Sequence, residues 1–95
     1  MFHQPRPNLF ESDDFSVEVL GRNGILYKEG ERTMLIGSEV LATGSPAGIA
    51  VWRKSIHNWR PPHEAEQIDE AKRVTIIENI RGAIRFGGED IEVIG

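Results

Sequence analysis

The feature that most constrains this fold is a stripe of apolar residues in the last third of the chain. From about Asp69 these residues recur every three or four positions, a spacing that places them on one face of an α-helix. The stripe consists of Val74, Ile76, Ile77, Ile80, Ala83 and Ile84. The run 74–77 is β-branched and would suit a strand by propensity alone. The spacing beyond that run favours a helix about 27 Å long.

The two ends and the polar side of this helix are also predicted. The charges at both ends suit the helix dipole, with Asp69 and Glu70 near the start and Arg81 and Arg85 near the end. Gly87-Gly88 is expected to end the helix in a left-handed conformation. The arc opposite the apolar stripe is expected to stay hydrated, and it comprises Lys72, Thr75, Glu78, Asn79 and Arg85.

A helix with one apolar face needs a second layer to cover it, and the earlier part of the chain supplies one. Residues 15–20 alternate apolar and polar side chains, which is typical of a half-buried strand. Further strands are predicted at residues 25–28, 32–41 and 49–56, with a last short strand at 89–94. We therefore expect an α+β fold: an antiparallel meander of about four strands, one long C-terminal amphipathic helix packed across it, and a final short strand.

The connections carry their own signals. Asn23-Gly24 predicts a type I′ hairpin turn, because both residue types tolerate positive φ angles. Gly37 predicts a bend or bulge within the third strand. Residues 42–48 are small and turn-forming and are interpreted as a loop. Pro61-Pro62 disfavours helix before it, so residues 57–67 are expected to form an extended surface connection.

The length of 95 residues is that of one compact domain, and the 39% hydrophobic content indicates a globular chain. Pro5 and Pro7 block regular pairing at the beginning of the chain. Residues 1–13 are therefore expected to be a loose N-terminal arm, and residues 14–95 a single α+β domain.

Charge and cysteine content narrow the class of protein. The chain has no cysteine, which excludes disulfides and thiolate metal sites and fits a reducing compartment. The first eight residues contain no apolar signal region, and no segment has the length needed to cross a bilayer, so a cytoplasmic location is predicted. The net charge of -4 argues against a dedicated nucleic-acid binder and favours a neutral or basic partner.

The sequence offers little that could carry chemistry. His57 and His63, with Glu64 and Glu66 nearby, are separated by the Pro-Pro loop, so no regular element aims both imidazoles at one metal ion. The serines have no nucleophile elbow or placed base, and the carboxylate pairs lie at turns without an apolar pocket. No catalytic, cofactor-binding or metal residue is predicted, and a non-enzymatic role is expected.

The segment 52–60 interleaves two indoles, Trp52 and Trp59, with basic residues. Aromatic side chains beside cations can stack on single-stranded nucleic acid. They are also enriched at protein-binding hot spots. Alternatively, Trp52 is an ordinary sheet residue and Trp59 is a lid on the edge of the core. All three interpretations stay open at the level of sequence.

Several short motifs spread over residues 24–94 resemble those of the bacterial family called immunity protein 74. They are Tyr27-x-Glu29-Gly30-x-Arg32-x-Met34-x-Ile36-x-Ser38-Glu39, then Ile49-x-Val51, Ser55-Ile56-x-x-Trp59, Ile76-Ile77-x-Asn79-Ile80 and Phe86-x-Gly88-x-x-Ile91-Glu92. The resemblance implies a protein that protects a bacterium by binding a toxin domain. It marks as characteristic positions Tyr27, Glu29, Arg32, Glu39, Trp59 and Asn79.

The leading hypothesis is therefore an immunity protein whose acidic surface binds a basic toxin domain. The residues predicted to contact this partner are Tyr27, Glu29, Arg32, Glu39, Trp52, Trp59 and Arg60. Glu29 and Arg32 flank a turn and are alternatively expected to pin it by a local ion pair. The other hypotheses are a single-stranded nucleic-acid module, a homo-oligomeric structural subunit that pairs with its own copy, and a small enzyme built around His57 or His63.

Overall fold

The chain's alternating segments form two β-sheets in a computed structural model that describes residues 1–41 and 47–95. The larger sheet is an antiparallel meander in which the strands pair in chain order. Its strands are β1 (His3–Arg6), β2 (Leu9–Glu11), β3 (Ser16–Val19), β4 (Ile25–Glu29) and β5 (Arg32–Ile36). Most of the loop predicted at 42–48 lies outside the described residues.

The smaller sheet has three strands in the order β6 (Ser38–Val40), β7 (Ile49–Trp52) and β8 (Ile91–Ile94). β6 runs antiparallel to β7, whereas β8 runs parallel to it, with Ile49 opposite Ile91. The expected α+β class, the meander, the helix and the final strand are confirmed. The division into two sheets is not predicted from the sequence.

Gly37 is the point at which the chain passes from one sheet to the other. Its N–H donates to the Ser55 hydroxyl at 2.8 Å, and its carbonyl accepts the Trp52 N–H at 2.9 Å. These bonds turn the backbone away from β4 and towards β7, so the expected bend becomes a change of sheet. The strand predicted at 49–56 ends earlier, at Trp52, because a short 3₁₀-helix, Arg53–Ser55, follows it.

The described residues contain one α-helix, α1 (Glu70–Phe86). Asp69 caps its N-terminus, where the carboxylate accepts the Lys72 backbone N–H at 2.8 Å. The helix ends at the predicted glycines: Gly87 donates its N–H to Ala83, and Gly88 has a φ of +93°.

Most of the apolar stripe of α1 is buried, but Val74 is 46% exposed. Each residue advances about 100° around a helix, so Val74 lies about 120° from Ile80, at the centre of the buried face. The buried face is therefore narrower than the predicted stripe, and it excludes Val74. Conversely, Lys72 and Asn79 are half-buried rather than hydrated. The buried members of the stripe are Ile76, Ile77, Ile80, Ala83 and Ile84.

Residues 1–13 do not form an unpaired arm. Phe10 lies opposite Val17 in the meander, and it is only 6% exposed because it packs into the core. Pro5 is tolerated in β1 because this is an edge strand, where a missing N–H removes no ladder hydrogen bond. Pro7 lies in the turn that follows. Regular pairing is therefore compatible with both prolines.

The expected type I′ turn at Asn23-Gly24 is also wrong. A 3₁₀-helix, Gly21–Asn23, connects β3 to β4, and among the described residues positive φ angles occur at glycines alone. Gly24 is required by a close approach of the backbone, because a Cβ atom there would clash with the Ile36 carbonyl oxygen. The connection is thus longer than a two-residue hairpin.

Candidate functional site

Four side chains form a polar network between the larger sheet and α1: Tyr27, Glu29, Lys72 and Asn79. The Tyr27 hydroxyl donates to Glu29 Oε2 at 2.7 Å and accepts the Asn79 Nδ2 donor at 2.8 Å. The second carboxylate oxygen of Glu29 accepts Lys72 Nζ at 2.7 Å. Strand periodicity places Tyr27 and Glu29 on the same face of β4, and the helix supplies the other two groups. The network therefore fastens the helix to the sheet.

The electrostatics of this network keep Tyr27 neutral. Burial raises the pKa of the Tyr27 hydroxyl well above its ordinary value. The hydrogen bond from Asn79 opposes this shift, while the hydrogen bond and the charge of Glu29 add to it. Tyr27 thus remains a protonated donor to Glu29 at neutral pH, and its geometry is that of a structural hydrogen bond.

Trp59 covers the network from outside and is only 5% exposed. Its ring stacks on Tyr27 with centroids 6.3 Å apart and an interplanar angle of 22°, and Tyr27 stacks in turn on Phe15 at 5.8 Å. Lys72 Nζ lies 6.0 Å from the centre of the indole, within range of a cation–π interaction. Of the sequence alternatives for Trp59, this position matches the lid.

Arg32 lies at the rim of the network but pairs elsewhere. Although it is opposite Glu29 in the β4–β5 register, its Nε donates to Glu66 Oε1 at 2.8 Å. The hydrogen bond and charge of Glu66 raise the pKa of Arg32, and those of Arg32 lower the pKa of Glu66. The expected ion pair between Glu29 and Arg32 is therefore replaced by two others. Glu29 pairs with Lys72, and Arg32 pairs with Glu66. A surface depression of about 280 Å³ is lined by these four residues and by Trp59 and Gln67.

Glu39 and Trp52 lie in a different place, on what we call the outer face of the smaller sheet. Ile49, Val51 and Ile91 point to the other side and pack into the core. Side chains alternate along strands, so the outer face carries the remaining residues of the register. These are Glu39, Ala50, Trp52, Glu92 and Ile94.

The outer face borders a surface depression with a volume of about 630 Å³. Arg22, Glu39, Val40 and Trp52 are among its lining residues. Val40 lies opposite Ile49 and therefore belongs to the other side of the sheet, at the rim of the depression. On the outer face Ile94 is 41% exposed, and Glu39 and Glu92 are exposed as well. Trp52 is half-buried beside them. This surface presents an aromatic ring and an aliphatic side chain, Trp52 and Ile94, beside the row that holds the two carboxylates.

The predicted partner-contact residues therefore separate into two groups. Tyr27, Glu29 and Trp59 belong to the polar network or its lid, with Arg32 at the rim. Arg60 follows with an exposed side chain, and its backbone N–H donates to the Thr33 carbonyl of β5 at 2.8 Å. Glu39 and Trp52 form the second group on the outer face.

Two consequences follow from this separation. Trp52 and Trp59 line different depressions and do not form one stacking platform. Sequence reasoning missed Lys72 and Glu66, which complete the network and the Arg32 pair. Neither had a signal in the sequence, since Lys72 reads as a hydrated helix residue and Glu66 as part of a surface connection.

The histidines do not converge with carboxylates on a metal site. His57 is exposed and His63 is half-buried. Within residues 1–41 and 47–95, no group of three or more histidine or acidic side chains is placed to hold a metal ion. No helix in this part of the chain is long and apolar enough to cross a membrane.

The fold and these surfaces define a class of small α+β protein in which a half-buried polar network joins sheet to helix, and in which an outer sheet face exposes Glu39, Glu92 and Ile94. The model of the family Immunity protein 74 matches residues 16–94. The chain belongs to this family, and the resemblance noted from its motifs is confirmed. No curated protein and no solved structure shows significant similarity to the chain.

Proposed function

We propose that this protein binds a bacterial toxin domain and neutralises it by occupying the toxin's surface, without catalysing a reaction. The observation that carries the proposal is the family match, which spans residues 16–94 and thus includes the smaller sheet, the helix and strands β3 to β5 of the larger sheet. Because an immunity protein of this kind acts by binding, the proposal also has to name the surface that contacts the toxin.

The outer face of the smaller sheet is our choice for the toxin-binding surface. Interface hot spots are enriched in tryptophan and lie in places that become fully desolvated in the complex. Trp52 is half-buried beside a depression of about 630 Å³, with the exposed Ile94 next to it in the register. Such a side chain can lose its remaining contact with water on binding while needing little reordering.

The Tyr27 group is proposed to act indirectly. Tyr27 is fully buried and Trp59 nearly so, and the Tyr27 hydroxyl and both Glu29 carboxylate oxygens already have partners. A toxin would have to displace these bonds to reach them. We assign Tyr27, Glu29 and Trp59 to holding the helix on the sheet, and Arg32 and Arg60 to a peripheral contact at most.

Charge favours a basic toxin surface. The chain carries a net charge of -4, and Glu39 and Glu92 both lie on the outer face. Complementary charge accelerates association, and this acceleration weakens as salt screens the field. We therefore expect the association rate to fall between 50 mM and 500 mM salt, while the dissociation rate changes less.

The direct test is co-expression with the product of the adjacent upstream gene, followed by measurement of growth and of binding by pull-down. The wild-type chain is expected to restore growth and to retain the toxin. Trp52→Ala should weaken binding by about 2 kcal/mol or more if Trp52 is a hot spot. Leu35→Ala is the matched control, because Leu35 is 47% exposed on the larger sheet and does not line the depression beside Trp52.

Three results would contradict the proposal. The wild-type chain could fail to bind or to protect against this toxin candidate. Leu35→Ala could weaken binding as much as Trp52→Ala, which would remove the outer face from consideration. Finally, salt-sensitive quenching of tryptophan fluorescence by oligonucleotides would support a nucleic-acid module instead.

A further inference from the structure

The β8 strand leaves one edge of the smaller sheet open. Within residues 1–41 and 47–95, β8 pairs with β7 alone. The other sheet edges are obstructed by features that natural proteins use against unwanted pairing. β1 contains Pro5, β5 accepts the Arg60 N–H at Thr33, and the 3₁₀-helix Gly21–Asn23 packs beside β6. The β8 edge is therefore the best available site for an added strand.

The backbone directions along β8 identify the groups that this edge offers. The Asp90 carbonyl accepts the Ile49 N–H, so it faces β7. Backbone groups alternate sides along a strand, and those of Ile91 and Val93 therefore face away from β7. No described residue outside the sheet forms a hydrogen bond with Val93. Val93 thus presents one donor and one acceptor to the edge.

The side chain of Asp90 occupies the first hydrogen-bond donor of this edge. Its Oδ1 accepts the outward Ile91 N–H at 2.7 Å, and Arg85 holds its other oxygen at 3.1 Å. The Ile91 amide is therefore already occupied, whereas the Ile91 carbonyl and both groups of Val93 are available. These three groups match an extended segment that offers two N–H donors and one carbonyl acceptor.

We propose that the toxin adds an extended, basic segment to the β8 edge, with a lysine or arginine beside Glu92. This inference rests on the proposed function and deepens it by naming the mode of binding. Main-chain hydrogen bonds to Ile91 and Val93 supply register, and the side chain of Glu92 selects a cation. The edge is continuous with the outer face, since Trp52 lies opposite Ile94 in the β7–β8 register.

A second copy of this chain fits the edge less well than a basic segment. Symmetric antiparallel pairing through the outward groups of Val93 places Val93 opposite its own copy. Each Glu92 then opposes Ile94 and lies diagonal to the other Glu92, at about 7–8 Å, where like charges repel. Each copy also carries a net charge of -4. A cation on a different partner converts this repulsion into attraction.

The open edge can be tested in the free protein by amide hydrogen exchange. The Val93 N–H should exchange at least about tenfold faster than the Val51 N–H, which belongs to the buried strand β7. On addition of the upstream gene product, the Val93 amide should become protected. Equal protection of both amides in the free protein would mean that the edge is already covered, and would overturn the inference without reference to any toxin.

Substitutions test the complex. Val93→Pro removes the outward donor, and Glu92→Lys reverses the charge beside it. Each should raise the Kd for the upstream gene product by about tenfold or more, the equivalent of one lost hydrogen bond or ion pair in a desolvated interface. Glu64→Lys is the control, because it makes the same charge change at an exposed position of the 57–67 connection. Circular dichroism and the exchange of Val51 establish that each variant is folded.

The outcomes separate this inference from the proposed function. If the wild-type chain neutralises the toxin and Glu92→Lys and Val93→Pro do so equally well, strand addition is overturned and the immunity function stands. The same holds if the chain forms a dimer whose interface protects Val93. If the wild-type chain does not bind the toxin, the proposed function fails and the inference fails with it. Selective weakening in both variants, with Glu64→Lys unchanged, supports it.

Discussion

Tyr27 illustrates how the physical role of a residue depends on partners that are distant in sequence. Its hydroxyl bonds to Glu29 on the same strand and to Asn79 on the helix. A buried hydroxyl without partners would destabilise the fold, whereas this one links two layers. Lys72 neutralises the carboxylate at the other end, so the half-buried Glu29 is compensated.

The raised pKa of Tyr27 predicts a pH dependence of stability. The folded-state pKa lies above the unfolded value of about 10. The corresponding stabilisation is therefore fully present below pH 10, and it is lost as the pH rises through the folded-state value. We expect Tyr27 to contribute a loss of about 1 kcal/mol in the free energy of unfolding by pH 11.

The measurement is urea unfolding at pH 8, 9.5 and 11, with Tyr27→Phe as the matched variant. Tyr27→Phe should be the less stable protein at pH 8, because it leaves Asn79 without its acceptor and removes a hydrogen bond from Glu29. The gap between the two proteins should narrow towards pH 11. A gap that stays constant over this range would show that Tyr27 titrates alike in both states.

At the scale of elements, the start of α1 depends on Asp69. Its carboxylate accepts the Lys72 backbone N–H, one of the amides that no helix carbonyl can satisfy. Asp69→Ala should lower the free energy of unfolding by about 1 kcal/mol in chemical denaturation. Asp69→Asn keeps an oxygen acceptor and should recover most of this loss. Equal losses in the two variants would indicate an effect of charge rather than of capping.

The elements differ in how far the sequence specifies them. The helix was predictable, because the recurrence of Ile77, Ile80 and Ile84 outweighs the β-branched propensity of the run before it. The prediction failed at Val74, since its exposure depends on how the helix is rotated on the sheet. Asn23-Gly24 failed because a turn that is favoured locally was overridden by the approach of Gly24 to Ile36.

Residues 1–13 were misjudged for a tertiary reason. The effect of a proline depends on whether its strand lies at an edge, and strand order cannot be read from Pro5 and Pro7 alone. The change of sheet at Gly37 is similar. Its sequence signal, a glycine within an apolar run, indicates a bend but not the partners of Gly37, because Trp52 and Ser55 are distant from it in sequence.

At the scale of the whole molecule, the first 13 residues are predicted to belong to the same cooperative unit as the rest. They contribute Phe10 to the core and Phe2 to an aromatic contact with Phe15 at 5.6 Å. A variant lacking residues 2–13 should lose about 3–5 kcal/mol of stability, the typical effect of removing one buried phenylalanine. Thermal unfolding followed by circular dichroism measures this loss.

His3→Ala serves as the control for this truncation, because the His3 side chain is exposed and should change stability by less than about 0.5 kcal/mol. A truncated protein that unfolds at the wild-type temperature would restore the interpretation of residues 1–13 as a loose arm.

The candidate site was only partly accessible from sequence for a similar reason. The motif positions pointed to the family, and they included Tyr27, Glu29 and Asn79, which do contact one another. Their common function in joining layers depends on Lys72 and on the orientation of the helix. The separation of Trp52 from Trp59 could not be read from their shared segment, because β7 ends between them.

The parallel pairing of β7 and β8 determines when the smaller sheet can be completed during folding. The meander forms from neighbouring strands, so its contacts close short loops, whereas β8 reaches β7 only after the helix has crossed between them. During synthesis, the larger sheet can therefore assemble before the smaller one is complete. Under the proposed function, a nascent chain would lack a complete toxin-binding surface until β8 had docked, and the onset of protection would follow this last step of folding.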